Sequence, residues 1–422
     1  TIMSICQASE GILQTHVKWE EFEENLTKAL NTTARFGPNK SVIDIGEGNG
    51  YASRCGLIQC DWEGEGAEKL PKRVVLKMGS CMALVALSQS TGEARIFKGA
   101  TPEVWKMIEH NIKEAHNIEC DTYDFVEQFG EGKHAIPKRY YARHFTDENV
   151  LTGQICMEFV ENGRMMNFGE KYNIDQLKQI ARALGKLQAD SMKYEIVSEA
   201  LKTKDVFGDF ARDTTLEKFC SMYTSLRIVD ASLTDAIDAM EALLPEYYGS
   251  TVPSTLHKQL GFAPVIVNGD MRTENILVDN DSGDIRALID WQSTHLGIGV
   301  EDLLRISFFA QSADDRRASS DVLIEELYTA FISNLGSLPV PYSLEQLKEF
   351  YDILFPHCAL FFATALKIVM PGMKPEEEDG EEKKRKYEVV VDKASGVLED
   401  IVTYHKKNNK SKHSVNWKYP AA

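Results

Sequence analysis

Val265-Ile-Val-Asn-Gly-Asp-Met-Arg-Thr-Glu-Asn-Ile-Leu-Val278, followed by Ala287-Leu-Ile-Asp-Trp-Gln292, is the most informative stretch of this 422-residue chain. Each half is a β-branched run that ends in a carboxylate, so the pattern predicts strand, tight loop, strand. Asp270 and Asn275 share the loop, and Asp290 closes the following strand. An Asp that orients a hydroxyl, with an Asn and a second Asp offering hard oxygens to magnesium, is a set suited to phosphoryl transfer. An isolated D-x-x-x-x-N would instead read as turn residues bonding their own backbone. The flanking strands and the later Ile-Asp-Trp-Gln turn the reading towards chemistry.

Working outward, the chain is too long for one ordinary hydrophobic core, and two regions are expected, 1–160 and 161–422. The first is strand-rich. Ser41–Ile45, Cys55–Cys60, Arg73–Met78 and Gln154–Val160 are short apolar runs bounded by Gly or Pro, and a helix is predicted from about Pro102 to Phe125. The second turns to helical period. Leu177, Ile180, Ala181, Leu184 and Leu187 form one stripe, with Asn173 and Gln176 spaced as a capping box. Further helices are predicted near Leu216–Arg227, Ser232–Tyr247, Asp321–Asn334, Leu344–Val369 and Val389–Lys406. The acidic-then-basic run 375–386 reads as a solvated loop before the last of them. The fold class expected is α+β, a small antiparallel sheet region followed by a larger, mostly helical one.

Composition narrows the partners. Forty-seven basic against 64 acidic residues give a formal charge of −17, which disfavours nucleic acid and anionic membrane. Eight scattered cysteines show no C-x-x-C and no zinc spacing, consistent with free thiols in a reducing compartment. No secretory signal pattern stands at the start of the sequence, and the apolar run Cys358–Met370 is too short to span a bilayer. A cytoplasmic enzyme acting on a small-molecule acceptor, without an obligate protein partner, is the expectation.

A nucleotide-binding kinase region needs a glycine hairpin, a strand lysine and a helical glutamate. Gly46, Gly48, Asn49 and Gly50 lie in Asp44–Tyr51, and Lys77 follows in Val-Val-Leu-Lys77. The same glycine stretch could open a methyltransferase, with Asp61 as the ribose acid. However, Tyr51–Gly56 is too short for the crossover helix such a fold requires.

The segment around Asp270 resembles the G-D-x-x-x-x-N and I-D-[FW]-Q motifs of the CHK kinase-like family, related to ecdysteroid kinases, within the aminoglycoside phosphotransferase and choline kinase group. The resemblance runs from about Gly46 to the last helix and is nearest the nematode branch. It implies a bilobal protein-kinase-like fold that uses ATP and Mg2+ to phosphorylate a small-molecule hydroxyl (steroid, glycoside, xenobiotic or amino alcohol). Asp270 would be the base and Asn275 and Asp290 the metal ligands. A family-like His-Asn-x-Glu stretch selects Glu119 over Glu114 as the partner of Lys77. Glu158 and Val160 would offer backbone to adenine. The Glu-Asp-Leu stretch matches one in the family and gives Asp302 a structural role, capping a helix or bracing the catalytic loop against Arg272; His295, close after Asp290, reads as a loop residue with a satisfied hydrogen bond. Where the family has His before Gly-Asp, this chain has Asn268. That departure keeps open the alternative of a catalytically impaired kinase-like protein that binds nucleotide or ligand.

Overall fold

In a computed structural model of the chain, residues 4–46, 51–89, 99–376 and 378–410 are described. They form two compact units, Thr1–Asn162 with Ala287–Gln292, and Gly163–Arg286 with Ser293–Ala422. The fold class is α+β: antiparallel sheet in the first unit and mostly helix in the second.

The first unit contains strands β1 (Arg35–Phe36), β2 (Ser41–Asp44), β3 (Ser53–Gln59), β4 (Trp62–Glu63), β5 (Arg73–Gly79), β6 (Arg139–Arg143) and β7 (Gln154–Glu158). Its helices are α1 (Trp19–Ala29), α2 (Met82–Gln89) and α3 (Pro102–Glu127). Five strands form one sheet in the order β2-β3-β5-β7-β6, antiparallel at every pairing. The register of β2 on β3 runs from Ser41 opposite Gln59 to Asp44 opposite Gly56. This hairpin rules out the methyltransferase arrangement, and Asp61 serves the loop between β1 and β2, accepting the Asn39 N–H at 2.8 Å.

Side chains alternate across a strand. On β5, Val74, Leu76 and Met78 point one way, into a cluster with Phe22 and Leu26 of α1, Ile58 and Cys156. The same alternation sends Lys77 to the opposite face.

In the second unit, β8 (Gly163–Met165) precedes helices α4 (Ile174–Ser191), α5 (Glu199–Thr203), α6 (Val206–Asp213), α7 (Leu216–Val229), α8 (Thr234–Glu241), α9 (Leu244–Tyr247) and α10 (Val252–Leu260). Strands β9 (Val265–Val267), β10 (Ile276–Asp279), β11 (Ile285–Leu288) and β12 (His295–Gly297) follow, then α11 (Glu301–Ala310), α12 (Ala313–Leu335), α13 (Leu344–Met373) and α14 (Glu381–Lys410). The last two residues of β11 group with the first unit. The α4 capping box forms as expected: the Asn173 side chain accepts the Gln176 N–H at 2.9 Å, and Gln176 accepts the Asn173 N–H at 3.0 Å.

Three expectations need correction. The stretch Ser232–Tyr247 is two helices with a break before Pro245, whose ring removes a helix hydrogen bond. Helix α12 begins eight residues early, where Ser312 caps it by accepting the Asp315 N–H. The charged run is loop only up to Gly380. From Glu381 it is the first turns of α14, supported by an i,i+4 pair of Glu382 and Lys386 at 3.0 Å. No single helix among the described residues is long and apolar enough to cross a membrane.

Helices α4 and α12 touch at Gly185. A Cβ there would lie 2.3 Å from the Leu327 carbonyl oxygen and 2.9 Å from the Phe331 nitrogen, both backbone atoms. Gly185→Ala must therefore push two helices apart, and a loss of about 1–3 kcal/mol is expected. Urea denaturation would measure it, and an unchanged midpoint would contradict this packing.

Candidate functional site

The first unit brings together three of the residues singled out from sequence. Lys77 on β5 donates to Glu119 at 2.5 Å and to Asp290 at 2.7 Å. Helix α3 presents Ile112, His116, Glu119 and Tyr123 on one buried face, at the spacing of successive helical turns. His116 meets the Arg143 carbonyl at 3.0 Å. Asn117 exchanges two hydrogen bonds with the Phe145 backbone, at 2.8 and 2.9 Å. The His-Asn-x-Glu stretch thus anchors α3 to the end of β6 and the chain just after it, and leaves Glu119 aimed at Lys77. Glu114, the rival, pairs with His110 at 3.2 Å on the exposed side.

Burial disfavours the Lys77 ammonium, but the Asp290 and Glu119 carboxylates outweigh it and hold its pKa well above the usual lysine value. Asp290 itself is held in the left-handed region, with φ 61°, a conformation that costs a non-glycine residue energy and concentrates at functional sites. Neighbouring contacts fix it. Trp291 is fully buried and its N–H points at Glu119 at 3.5 Å, while Leu288 N–H donates to the Ala135 carbonyl at 2.7 Å.

Of the glycine hairpin, Gly46 is described, and its N–H donates to the Asp44 side chain at 2.9 Å. Gly48, Asn49 and Gly50 lie outside the described residues. Glu158 ends β7 with its N–H donating to the Lys138 carbonyl at 2.8 Å and its carboxylate accepting the Lys138 N–H at 2.9 Å. Its N–H and carboxylate are therefore already engaged. Val160 lies half-buried two residues beyond.

The second unit holds the loop between β9 and β10. Asp270 is part-exposed, its side chain 32% accessible, with Arg272 at 3.5 Å. Asn275 donates through Nδ2 to the Asp270 carbonyl at 2.7 Å and to its carboxylate at 3.3 Å. That orientation turns its amide oxygen into the atom suited to a hard cation. Asn268 accepts the Asp270 N–H at 3.0 Å, so it holds the loop through its side-chain oxygen.

Asp302 braces the same loop, but through backbone rather than Arg272. Its two oxygens accept the Asn268 and Gly269 N–H groups at 2.8 and 2.9 Å. Burial pushes its pKa up to about 6 against those bonds. Gly269 adopts φ 80°, and a Cβ there would sit 2.4 Å from the Ser293 carbonyl oxygen and 3.0 Å from the His295 ring.

Sequence reading missed what lies beneath. His295 is not a loop residue. It belongs to β12, opposite Val267 of β9. Its Nε2 meets Glu301 at 3.1 Å, and Arg305 donates twice to the other Glu301 oxygen, at 2.9 and 3.1 Å. Glu301 is 1% exposed. Despite burial, His295 and Arg305 hold its pKa down to about 2. The Glu301 and Arg305 spacing of four on α11 was the readable signal. The His295 partner required the β9–β12 pairing.

The chain is 24% identical, over 277 residues, to the uncharacterized kinase-like protein D1044.1 of Caenorhabditis elegans, covering 63% of this chain and 70% of that protein. Among solved structures it is similar to choline kinase from Cryptosporidium parvum Iowa II, with 10% identity, TM-score 0.46, and coverage of 87% of this chain and 92% of that one. It is also similar to Plasmodium vivax ethanolamine kinase, with 12% identity, TM-score 0.43, and coverage of 91% and 90%. A family described as DUF1679, "Uncharacterized oxidoreductase dhs-27", matches residues 5–409, nearly the full described length, and the chain belongs to that family.

Proposed function

We propose that the chain is an ATP- and magnesium-dependent phosphotransferase that phosphorylates a hydroxyl of a small molecule. The observation that carries this reading is Lys77 held between Glu119 and Asp290, 42 and 213 residues away in sequence. A buried, permanently charged ammonium fixed by two carboxylates suits nucleotide phosphates. Asp270 is the group that orients the acceptor hydroxyl and takes its proton. Asp290 and the Asn275 amide oxygen are hard donors that fit magnesium, which supplies charge neutralisation on the phosphates. The name of the nematode relative, kinase-like, agrees. A cytosolic location and a small-molecule partner belong to the same proposal.

The family description carries the word oxidoreductase. Dinucleotide-binding oxidoreductase folds are built on a parallel doubly-wound sheet. The main sheet here is antiparallel at every pairing, which favours phosphoryl transfer. Asn268 motivates the second reading, an impaired enzyme. Its bond to Asp270 N–H supports the loop and so favours turnover.

The test is incubation of the purified chain with magnesium ATP and pooled metabolite alcohols, read by mass spectrometry for a phosphate adduct. ATP binding with no product across the library would favour the impaired protein, and absence of ATP binding would end both readings. Lys77→Met removes a charge-assisted contact to phosphate. It should weaken magnesium ATP at least about tenfold in calorimetry, roughly 1.5–3 kcal/mol.

A further inference from the structure

We propose that Cys6 and Cys81 are an oxidation site, forming a reversible disulfide that ties the segment around residue 6 to the end of β5. The two cysteines lie in one cluster beside the end of β5. The backbone holds them there, because Cys81 N–H donates to the carbonyl of Ile5 at 3.1 Å. Ile5, Cys81, Ile108, Ile112 and Phe145 form one buried cluster, with Cys6 packed against it. A backbone bond between Cys81 and the residue preceding Cys6 brings the two segments as close as a disulfide requires.

Their environments differ in a useful way. Cys81 is 0% exposed, whereas Cys6 is half-buried and reachable. The neighbouring Cys81, with Ser4 and Lys113, outweighs burial and Glu109 and lowers the Cys6 pKa to about 7. Burial drives Cys60 and Cys156 the other way. Thiolate character and access together select Cys6 as the attacking sulfur.

The chemistry balances with hydrogen peroxide as oxidant. The Cys6 thiolate attacks one peroxide oxygen, the O–O bond breaks, and the departing hydroxide takes a proton to leave as water. Cys6 is then a sulfenic acid. The Cys81 sulfur attacks the Cys6 sulfur, the S–O bond breaks, and the departing hydroxide leaves as water with the Cys81 proton. Two thiols have lost two electrons and the peroxide has gained them; a dithiol reverses the step.

The location gives the bond leverage. Gly79 pairs with Ser53, the first residue of β3, and Cys81 follows two residues later. Oxidation would staple the chain beside the start of β3, two residues past the end of the strand that carries Lys77.

The full chain is treated with hydrogen peroxide, its remaining thiols are alkylated in denaturant, and the digest is mapped by mass spectrometry. A linked peptide joining residues 6 and 81, lost on adding dithiothreitol, is expected. In Cys6→Ser, a half-buried replacement compatible with folding, Cys81 should be recovered fully alkylated. The melting midpoint of the wild-type chain should rise on oxidation and return with dithiothreitol, while that of Cys6→Ser stays fixed. Recovery of Cys6 alkylated or as sulfinic acid with no linked peptide overturns the proposal. So does an oxidation-dependent melting shift that Cys6→Ser shares in full.

Discussion

Asp270→Ala is expected to lower phosphoryl transfer about 10²- to 10⁴-fold, the span of a lost general base, while the protein melts as before. The two halves of this expectation have separate causes. The Asp270 side chain is about one-third exposed and has polar neighbours, among them Arg272 at 3.5 Å and Asn275 at 3.3 Å. Removing such a group changes stability by roughly 0.5 kcal/mol or less. The loop keeps its shape without it, because Asn268 and Gly269 are held by Asp302 and Asn275 bonds the residue 270 carbonyl rather than depending on its carboxylate. Turnover on an identified acceptor and a thermal melt, measured on one preparation, separate chemistry from folding. Unchanged turnover would remove Asp270 from the reaction.

Glu301→Gln should do the reverse and strike the scaffold. The Glu301 carboxylate neutralises His295 and Arg305 in a site closed to water. Taking one partner from a buried ionic network costs about 3–5 kcal/mol. The loss has a pH signature. Glu301 is held at about 2, below its ordinary 4.5, so its contribution is fully present above pH ~4.5 and disappears as pH falls towards 2, worth roughly 3 kcal/mol. The His295 pKa is raised by the same contact, after burial is overcome. Its contribution is present below the unfolded histidine value and declines as pH rises through the folded one. Urea midpoints at pH 7 and pH 3.5 would check this. The gap between wild type and Glu301→Gln should narrow at the lower pH, and a constant gap would refute the ionic account.

What the sequence made legible follows from local rules. Asp270 and Asp290 lie just beyond the β-branched runs expected to be strands, Asn275 lies on the loop between β9 and β10, and Lys77 appears on a strand because Val-Val-Leu-Lys lies in a short β-branched apolar run. Glu119 could be chosen over Glu114 through the neighbouring His116 and Asn117, whose backbone clamps need that helical face buried. Strand β6 was not legible. Arg139-Tyr-Tyr-Ala-Arg143 is half-buried throughout, and Arg139 is satisfied by Glu127 at the end of α3, 12 residues earlier. Helix α1 is short and charged, and it acquires meaning only when Phe22 and Leu26 meet the sheet. The His295 and Glu301 pair depended on which strand lies beside β9, a fact of topology that no window of residues contains.

The grouping of Ala287–Gln292 with Thr1–Asn162 has a consequence for how the chain is born. During synthesis at about 5–20 residues per second, Lys77 and Glu119 leave the ribosome on the order of ten seconds before Asp290 and Trp291 arrive to finish their surroundings. Over that interval the first unit lacks six residues that no truncation at its visible end could restore. A fragment stopping at Asn162 would therefore be a half-made object rather than a domain, and trimming this protein to its first 162 residues would discard part of what it was meant to isolate.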